Sequence, residues 1–275
     1  MPDLDRLARE NVEHLREAVA TLAVDLEPRR SDLLSRFAAA VRATSGVSIN
    51  LRNAGLIGLL ATGRHLNIHD VSGRMAEEFG ADADQILRRQ LGPWYDRRIA
   101  FDDTFTGGRT FHYGCLSIGG LGPTMYGEYC VVLRAADVAA AGALTYLRED
   151  SARDYVDASG AVDVARVAAE SAPHDGRELL AALKCGPMLT GEESEWPKTL
   201  CSNEGYIEAI FVTAEVRDAI SAVRIGRKRH SELYDLVVDR YRRTLTDVEK
   251  AVIDDFATVS SLMNDARLKL EVLND

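Results

Sequence analysis

An α+β fold is predicted by three features of the sequence. Apolar residues recur at spacings of three and four at both ends of the chain, glycines crowd the middle, and short β-branched and aromatic runs follow those glycines. With 275 residues, 46% of them hydrophobic, the chain can bury one large core or two small ones.

Leu4, Ala8, Val12, Leu15, Val19, Leu22 and Leu26 fall on one stripe of a helix that Pro28 is expected to end. A second helix, with Ser31 as N-cap, points Leu34, Phe37, Ala38 and Val41 at the core, and Gly46 stops it. Residues 1–46 therefore read as a helical hairpin. A mixed α/β core is expected over 47–226, where Gly107, Gly108, Gly114, Gly119, Gly120, Gly122 and Gly127 mark strands and tight turns. Tyr129 to Leu133 has the composition of a buried strand, closed by Arg134. Tyr206 to Thr213 is a second strand, introduced by Ser202, Asn203 and Gly205. Residues 227–275 are expected to be helical and to pack on the core. The basic run from Arg224 to Arg229 reads as a solvated helix start or turn. Thr246 and Glu249 form a capping box before Val252, Phe256, Val259, Met263, Ala266 and Leu270. The two terminal stripes can pack within the chain, which is the expectation, or across a homodimer axis.

A formal net charge of −10 disfavours general binding to nucleic acid, whose phosphates repel an acidic surface. No run reaches the roughly 18 apolar residues needed to cross a bilayer, and the opening M-P-D-L-D-R is acidic rather than signal-like. A cytoplasmic protein is expected, with Cys115, Cys130, Cys185 and Cys201 as reduced, separate thiols.

Glu208 interrupts the apolar run of the second strand. A carboxylate in that setting is costly unless it faces solvent, is paired or works in a cleft. Alternation puts Tyr206, Glu208 and Ile210 on one face and Ile207, Ala209 and Phe211 on the other. His65 and His69, four apart, have helical metal-ligand spacing without an H-E-x-x-H pattern, so no metal is expected. Gly119-Gly120-Leu121-Gly122-Pro123 reads as a hairpin or lid, since it has neither P-loop nor G-x-G-x-x-G spacing. Cys115, three residues after His112, raises a thiol-nucleophile reading against that of a buried structural cysteine. His112 reads equally as a structural strand histidine, and Tyr113 and Tyr126 as core aromatics.

Four segments in order carry a family resemblance: Gly55 to Arg64 (G-L-I-G-L-L-A-T-G-R), His69 to Gly73 (H-D-V-S-G), Tyr126 to Leu133 (Y-G-E-Y-C-V-V-L) and Tyr206 to Ala209 (Y-I-E-A). Over roughly residues 56–224 the chain resembles the bacterial ADP-ribosyltransferase-like domains, which consume NAD. The resemblance implies a core of two small, mainly antiparallel sheets with flanking helices. It implies Glu208 as the catalytic carboxylate, Arg134 as the holder of the NAD phosphates and Ser151 as support for the nicotinamide pocket, with His112, Tyr113 and Tyr126 as the alternative His/Tyr lining. Tyr206 stands where the family often carries an acceptor-engaging Glu or Gln, which favours glycohydrolysis or an acceptor other than arginine.

The leading expectation is thus an ADP-ribosyltransferase or NAD glycohydrolase in which Glu208 stabilises oxocarbenium-like charge, with NAD as substrate and the acceptor open. The alternatives are a non-catalytic assembly protein on the same scaffold, and a hydrolase or transferase built on Cys115 and His112.

Overall fold

The apolar stripe at the start of the chain folds as two helices rather than one. α1 (Leu4–Glu10) ends at Asn11 and α2 (Val12–Asp25) begins after it. The break has a partner: the Asn11 Nδ2 donates to the Ala169 and Ser171 carbonyls at 3.0 and 2.9 Å, fastening the chain where the stripe alone would run on. Pro28 opens α3 (Pro28–Thr44) instead of merely closing the helix before it, and Glu27 rather than Ser31 is its N-cap. A proline at the first helical position loses no hydrogen bond, because that N–H has no partner in any helix.

The structure, a computed structural model describing residues 1–274, continues from α3 into β1 (Gly46–Leu51), α4 (Asn53–Thr62), α5 (Ile68–Phe79), α6 (Ala83–Leu91) and α7 (Tyr95–Thr104). Next come β2 (His112–Ser117), β3 (Tyr129–Arg134), α8 (Ala135–Ala141), β4 (Leu144–Leu147), α9 (Ser151–Asp154), α10 (Val164–Ala169) and β5 (Ser171–Pro173). They are followed by α11 (Arg177–Cys185), α12 (Trp196–Leu200), β6 (Glu208–Phe211), β7 (Ile220–Gly226), α13 (Arg227–Asp239), α14 (Asp247–Asp265) and β8 (Leu270–Leu273).

The strands form one mixed eight-stranded sheet, ordered β5-β4-β6-β2-β1-β3-β7-β8, so the expectation of two small sheets is corrected. Among the described residues its neighbours pair antiparallel except β7 with β8. One continuous ladder forms because β1 lies in the middle and pairs along both edges, with β2 on one side and β3 on the other.

One face of this sheet is almost wholly apolar. Val47, Ile49, Val131, Leu133, Phe211 and Ile225 meet Leu34, Phe37 and Val41 of α3, Leu56 and Leu59 of α4, Leu180 of α11 and Val259 of α14 in a single core. Each such side chain contributes about 1.5–3 kcal/mol on burial. Phe37 also meets Trp196 edge to face at 5.4 Å between ring centres. The opposite face carries a smaller apolar cluster of Phe101, Phe105, Phe111, Leu147, Tyr155 and Ile210, beside which lie the polar groups described below.

At the C-terminal end the Thr246–Glu249 capping box forms as the spacing predicts. The helix stops at Asp265, however, and Leu270 belongs to β8. Arg267 adopts the left-handed region (φ 56°), which turns the chain out of the helix and back along the sheet. The basic run behaves as a helix start: Arg224 ends its role in β7 paired with Glu271 at 2.8 Å, Gly226 caps, and Arg227 begins α13. No helix among the described residues is long and apolar enough to cross a membrane.

Candidate active site

β6 is shorter than its apolar run, spanning only Glu208–Phe211, and its neighbours decide where Glu208 goes. It lies opposite Cys115 of β2 on one side and Leu147 of β4 on the other, so strand backbone shields it from both edges. Alternation sends Ile207, Ala209 and Phe211 into the large core and Tyr206, Glu208 and Ile210 to the other face. There Glu208 is only 3% exposed, so the carboxyl is not a solvent-facing residue of a half-buried strand.

A buried carboxyl needs partners, and Glu208 has two. The Ser151 backbone N–H, at the start of α9, donates to its Oε2 at 2.9 Å, and Arg98 of α7 approaches Oε1 at 3.7 Å. The Arg98 guanidinium also lies 3.8 Å over the Tyr113 ring and 3.5 Å from Asp102 Oδ1. Asp102, itself 1% exposed, accepts from the Tyr113 hydroxyl and is 2.8 Å from His69 Nε2. Arg98 thus links two buried carboxyl groups, an arrangement in which removing the cation leaves both without compensation.

Burial, reinforced by the charge of Asp150, pushes the Glu208 carboxyl up to about 8, against the opposing pull of Arg98 and of hydrogen bonding by Ser151. At neutral pH the group therefore holds its proton, and a cation entering beside it favours the carboxylate.

The space in front of Glu208 is a cleft of about 360 Å³, lined among others by Asn50, His65, Arg98, Tyr126, Tyr206 and Glu208. Its outer wall is the segment joining β2 to β3, which passes over β1. Gly127 is required there, because a Cβ would overlap the Leu51 backbone. Asn50 holds the segment from below, donating to the Leu121 and Gly127 carbonyls at 2.9 and 3.1 Å. Asn203 holds it from outside, accepting the Met125 N–H and donating to the Thr124 hydroxyl, both at 3.0 Å.

Tyr126 comes from this wall, Tyr206 from the residues before β6, and Asp150 from the turn after β4. The Tyr206 hydroxyl donates to Asp150 Oδ2, and the Tyr126 and Tyr206 hydroxyls lie 2.8 Å apart. Asp150 Oδ1 accepts the Arg153 N–H at 2.8 Å, which makes Asp150 the N-cap of α9 and fixes its carboxylate. Burial raises the Tyr126 phenol to about 12 and the Tyr206 phenol further, so both are donors at neutral pH.

Of the residues singled out from sequence, His65, Tyr113, Cys115, Tyr126, Tyr206 and Glu208 line this cleft, whereas Arg134, Ser151 and His112 do not. Arg134, at the end of β3, does not line the cleft; it pairs with Asp137 at 2.5 Å and donates to the Ile220 and Asp218 carbonyls. Ser151 opens a helix rather than sitting on a strand, and its backbone N–H donates to Glu208. His112 points to the apolar face. Its ring stacks on Phe211 at 5.2 Å and its Nδ1 lies 3.1 Å from that of His65. Burial lowers His112 to about 4 and, aided by His112, His65 to about 3, so the pair is neutral at physiological pH.

A residue spacing of three puts His112 and Cys115 on opposite faces of β2, so His112 is no base for the thiol. Burial, with Cys201 as neighbour, holds the Cys115 thiol well above its ordinary value, the reverse of what a nucleophile needs. His65 and His69 bond to different partners, and no group of three metal-ligating side chains occurs among the described residues.

Three residues of the cluster were not singled out beforehand: Arg98, Asp102 and Asp150. Arg98 and Asp102 are four apart on α7, around Phe101, and that pairing of opposite charges beside a buried aromatic was the available signal. Asp150 was legible as the N-cap of D-S-A-R, though nothing local tied it to Tyr206. The sequence matches no protein-family model, and no curated protein matches it.

Proposed function

We propose that the cleft binds NAD and cleaves its nicotinamide–ribose bond, the activity implied by the resemblance to ADP-ribosyltransferase-like domains. The observation that carries the reading is the Glu208 carboxyl, fixed by a strand, a backbone N–H and Arg98 in a water-poor cleft. Departure of nicotinamide builds positive charge on the ribose, and a fixed carboxylate stabilises that charge far better there than in bulk water.

The protonation state fits the substrate. The nicotinamide ring of NAD is cationic, so its arrival beside Glu208 offsets the burial that holds the proton on and leaves a carboxylate facing the ribose. In the free enzyme the same group titrates near 8, and kcat/KM is expected to rise with pH up to that point and then level. Arg98 replaces Arg134 as the arginine of this site; because it faces Glu208 and Asp102, its role is to hold the carboxyl in place. The cleft volume is that of a small-ligand site.

A second reading is favoured by the same Arg98–Glu208 contact, which a non-catalytic scaffold would also keep. Nicotinamide release by the purified protein separates the two. Wild type should release it and Glu208→Gln, with its fold checked by circular dichroism, should not. Binding of NAD without release by either protein would favour the scaffold, and neither binding nor release would end the NAD reading.

A further inference from the structure

The hydroxyl chain beside Glu208 has a direction. Tyr206 has one O–H, and it is given to Asp150, so the 2.8 Å contact with Tyr126 must be made by the Tyr126 hydroxyl donating to Tyr206. The Tyr126 O–H is thereby used as well, and its oxygen is left as an acceptor at a residue that lines the cleft and is half exposed. At the inner end Asp150 also lines the cleft, and its second oxygen is committed to capping α9. The result is a three-member relay from the cleft mouth to a fixed carboxylate, alongside Glu208 but distinct from it.

We infer that Asp150 is the acceptor-side base of this cleft, taking a proton through Tyr206 and Tyr126 from a neutral oxygen nucleophile, water or an alcohol. The inference rests on the NAD-cleaving reading above. In the step, the nucleophile's O–H proton passes to Tyr126 Oη, the Tyr126 proton to Tyr206 Oη and the Tyr206 proton to Asp150 Oδ2. The nucleophile's oxygen bonds to the ribose C1′ as the bond from C1′ to the nicotinamide nitrogen breaks, and nicotinamide leaves neutral with the bonding pair. Asp150 then returns its proton to solvent. Glu208 stabilises the ribose charge and carries no proton in this step, so the two carboxyl groups have separate tasks. A base of this kind suits an oxygen nucleophile, which must lose a proton as it attacks, and contributes about 100-fold or more to the rate.

The test compares wild type, Asp150→Asn, Tyr206→Phe and Glu208→Gln, reading nicotinamide release and products by mass. Asparagine retains the α9 N-cap, and Tyr206→Phe leaves Asp150 itself intact, so a fold defect in one variant is checked by the other. In water wild type should give ADP-ribose, and with methanol added the methyl glycoside as well. Asp150→Asn should lose both activities by about 100-fold and Tyr206→Phe should lose both to a smaller degree. Azide, an anion with no proton to lose, should restore nicotinamide release to Asp150→Asn with formation of the glycosyl azide, and should restore nothing to Glu208→Gln. Wild-type rates in Asp150→Asn, or a loss that azide does not restore, would overturn the inference while leaving Glu208 chemistry standing. A methyl glycoside activity lost without loss of hydrolysis would confine the relay to alcohol acceptors. Absence of nicotinamide release from wild type is a different failure: it removes the NAD reading and the relay with it.

Discussion

The two faces of the sheet are made by the same strands and differ in everything else. On β6, Ile207, Ala209 and Phe211 enter the large core, while the residues between and before them, Glu208 and Tyr206, build the cleft. On β2, Leu116 packs into the core while Tyr113 and Cys115 line the cleft. Alternation lets one strand serve both demands, because the apolar face holds the backbone rigid for the polar one. Stability and chemistry are thereby separated by a single residue step.

That separation can be tested by substitution on either face. The largest effect is expected for Phe37→Ala, which removes a fully buried ring from the apolar side. It should cost about 3–5 kcal/mol in urea unfolding and leave the titration of Glu208 unchanged. Arg98→Met, on the cleft side, should cost a comparable amount, about 3–5 kcal/mol, where Glu208 is ionised and less where Glu208 is protonated and only Asp102 loses its cation. Unfolding measured at pH 9 and pH 6 should show the difference, and an equal loss at both would mean that Arg98 acts through Asp102 and packing rather than through Glu208.

A third, smaller effect follows from the raised Glu208 carboxyl. Its unfolded value is near 4.5 and its folded value about 8, so the folded chain binds the extra proton between them. Stability from this group is full below about 4.5 and is lost, by a few kcal/mol at most, as pH rises to about 8. Glu208→Gln should abolish that decline in a series of thermal melts, and an unchanged slope would place the titration elsewhere. The smallest effect is expected far from both faces, at the capping box. Thr246→Ala should cost about 1 kcal/mol at any of these pH values and leave nicotinamide release untouched.

Local signals were legible and pairings between distant segments were not. The capping box, the strand of Tyr129 and the facing of Glu208 were readable because cap chemistry and alternation act within a few residues. The break at Asn11 was not, since its cause is two carbonyls supplied by the approach to β5. The stripe that ends α14 runs into Leu270 because a residue can be apolar for a strand as well as for a helix, and only the turn at Arg267 separates the two. Arg134 matched the end of a strand in sequence, but a strand end has two directions to face, and this one is claimed by Asp137 and the start of β7. Arg98 reached the site by the packing of α7, which no spacing on β6 could announce.

The strand order also dictates when the cleft can exist. Among the described residues no pair in the sheet is joined by a tight hairpin: β1 is separated from β2 by four helices, and β2 from β6 by half the topology. Pairing Cys115 with Glu208 is a long-range contact, whose loop-closure cost is large compared with that of any neighbouring helix. A partly folded chain would have its helices long before it had a floor to the cleft. The cleft, whatever it binds, is thus completed only with the finished sheet, so the topology couples the site to the last pairings of the fold.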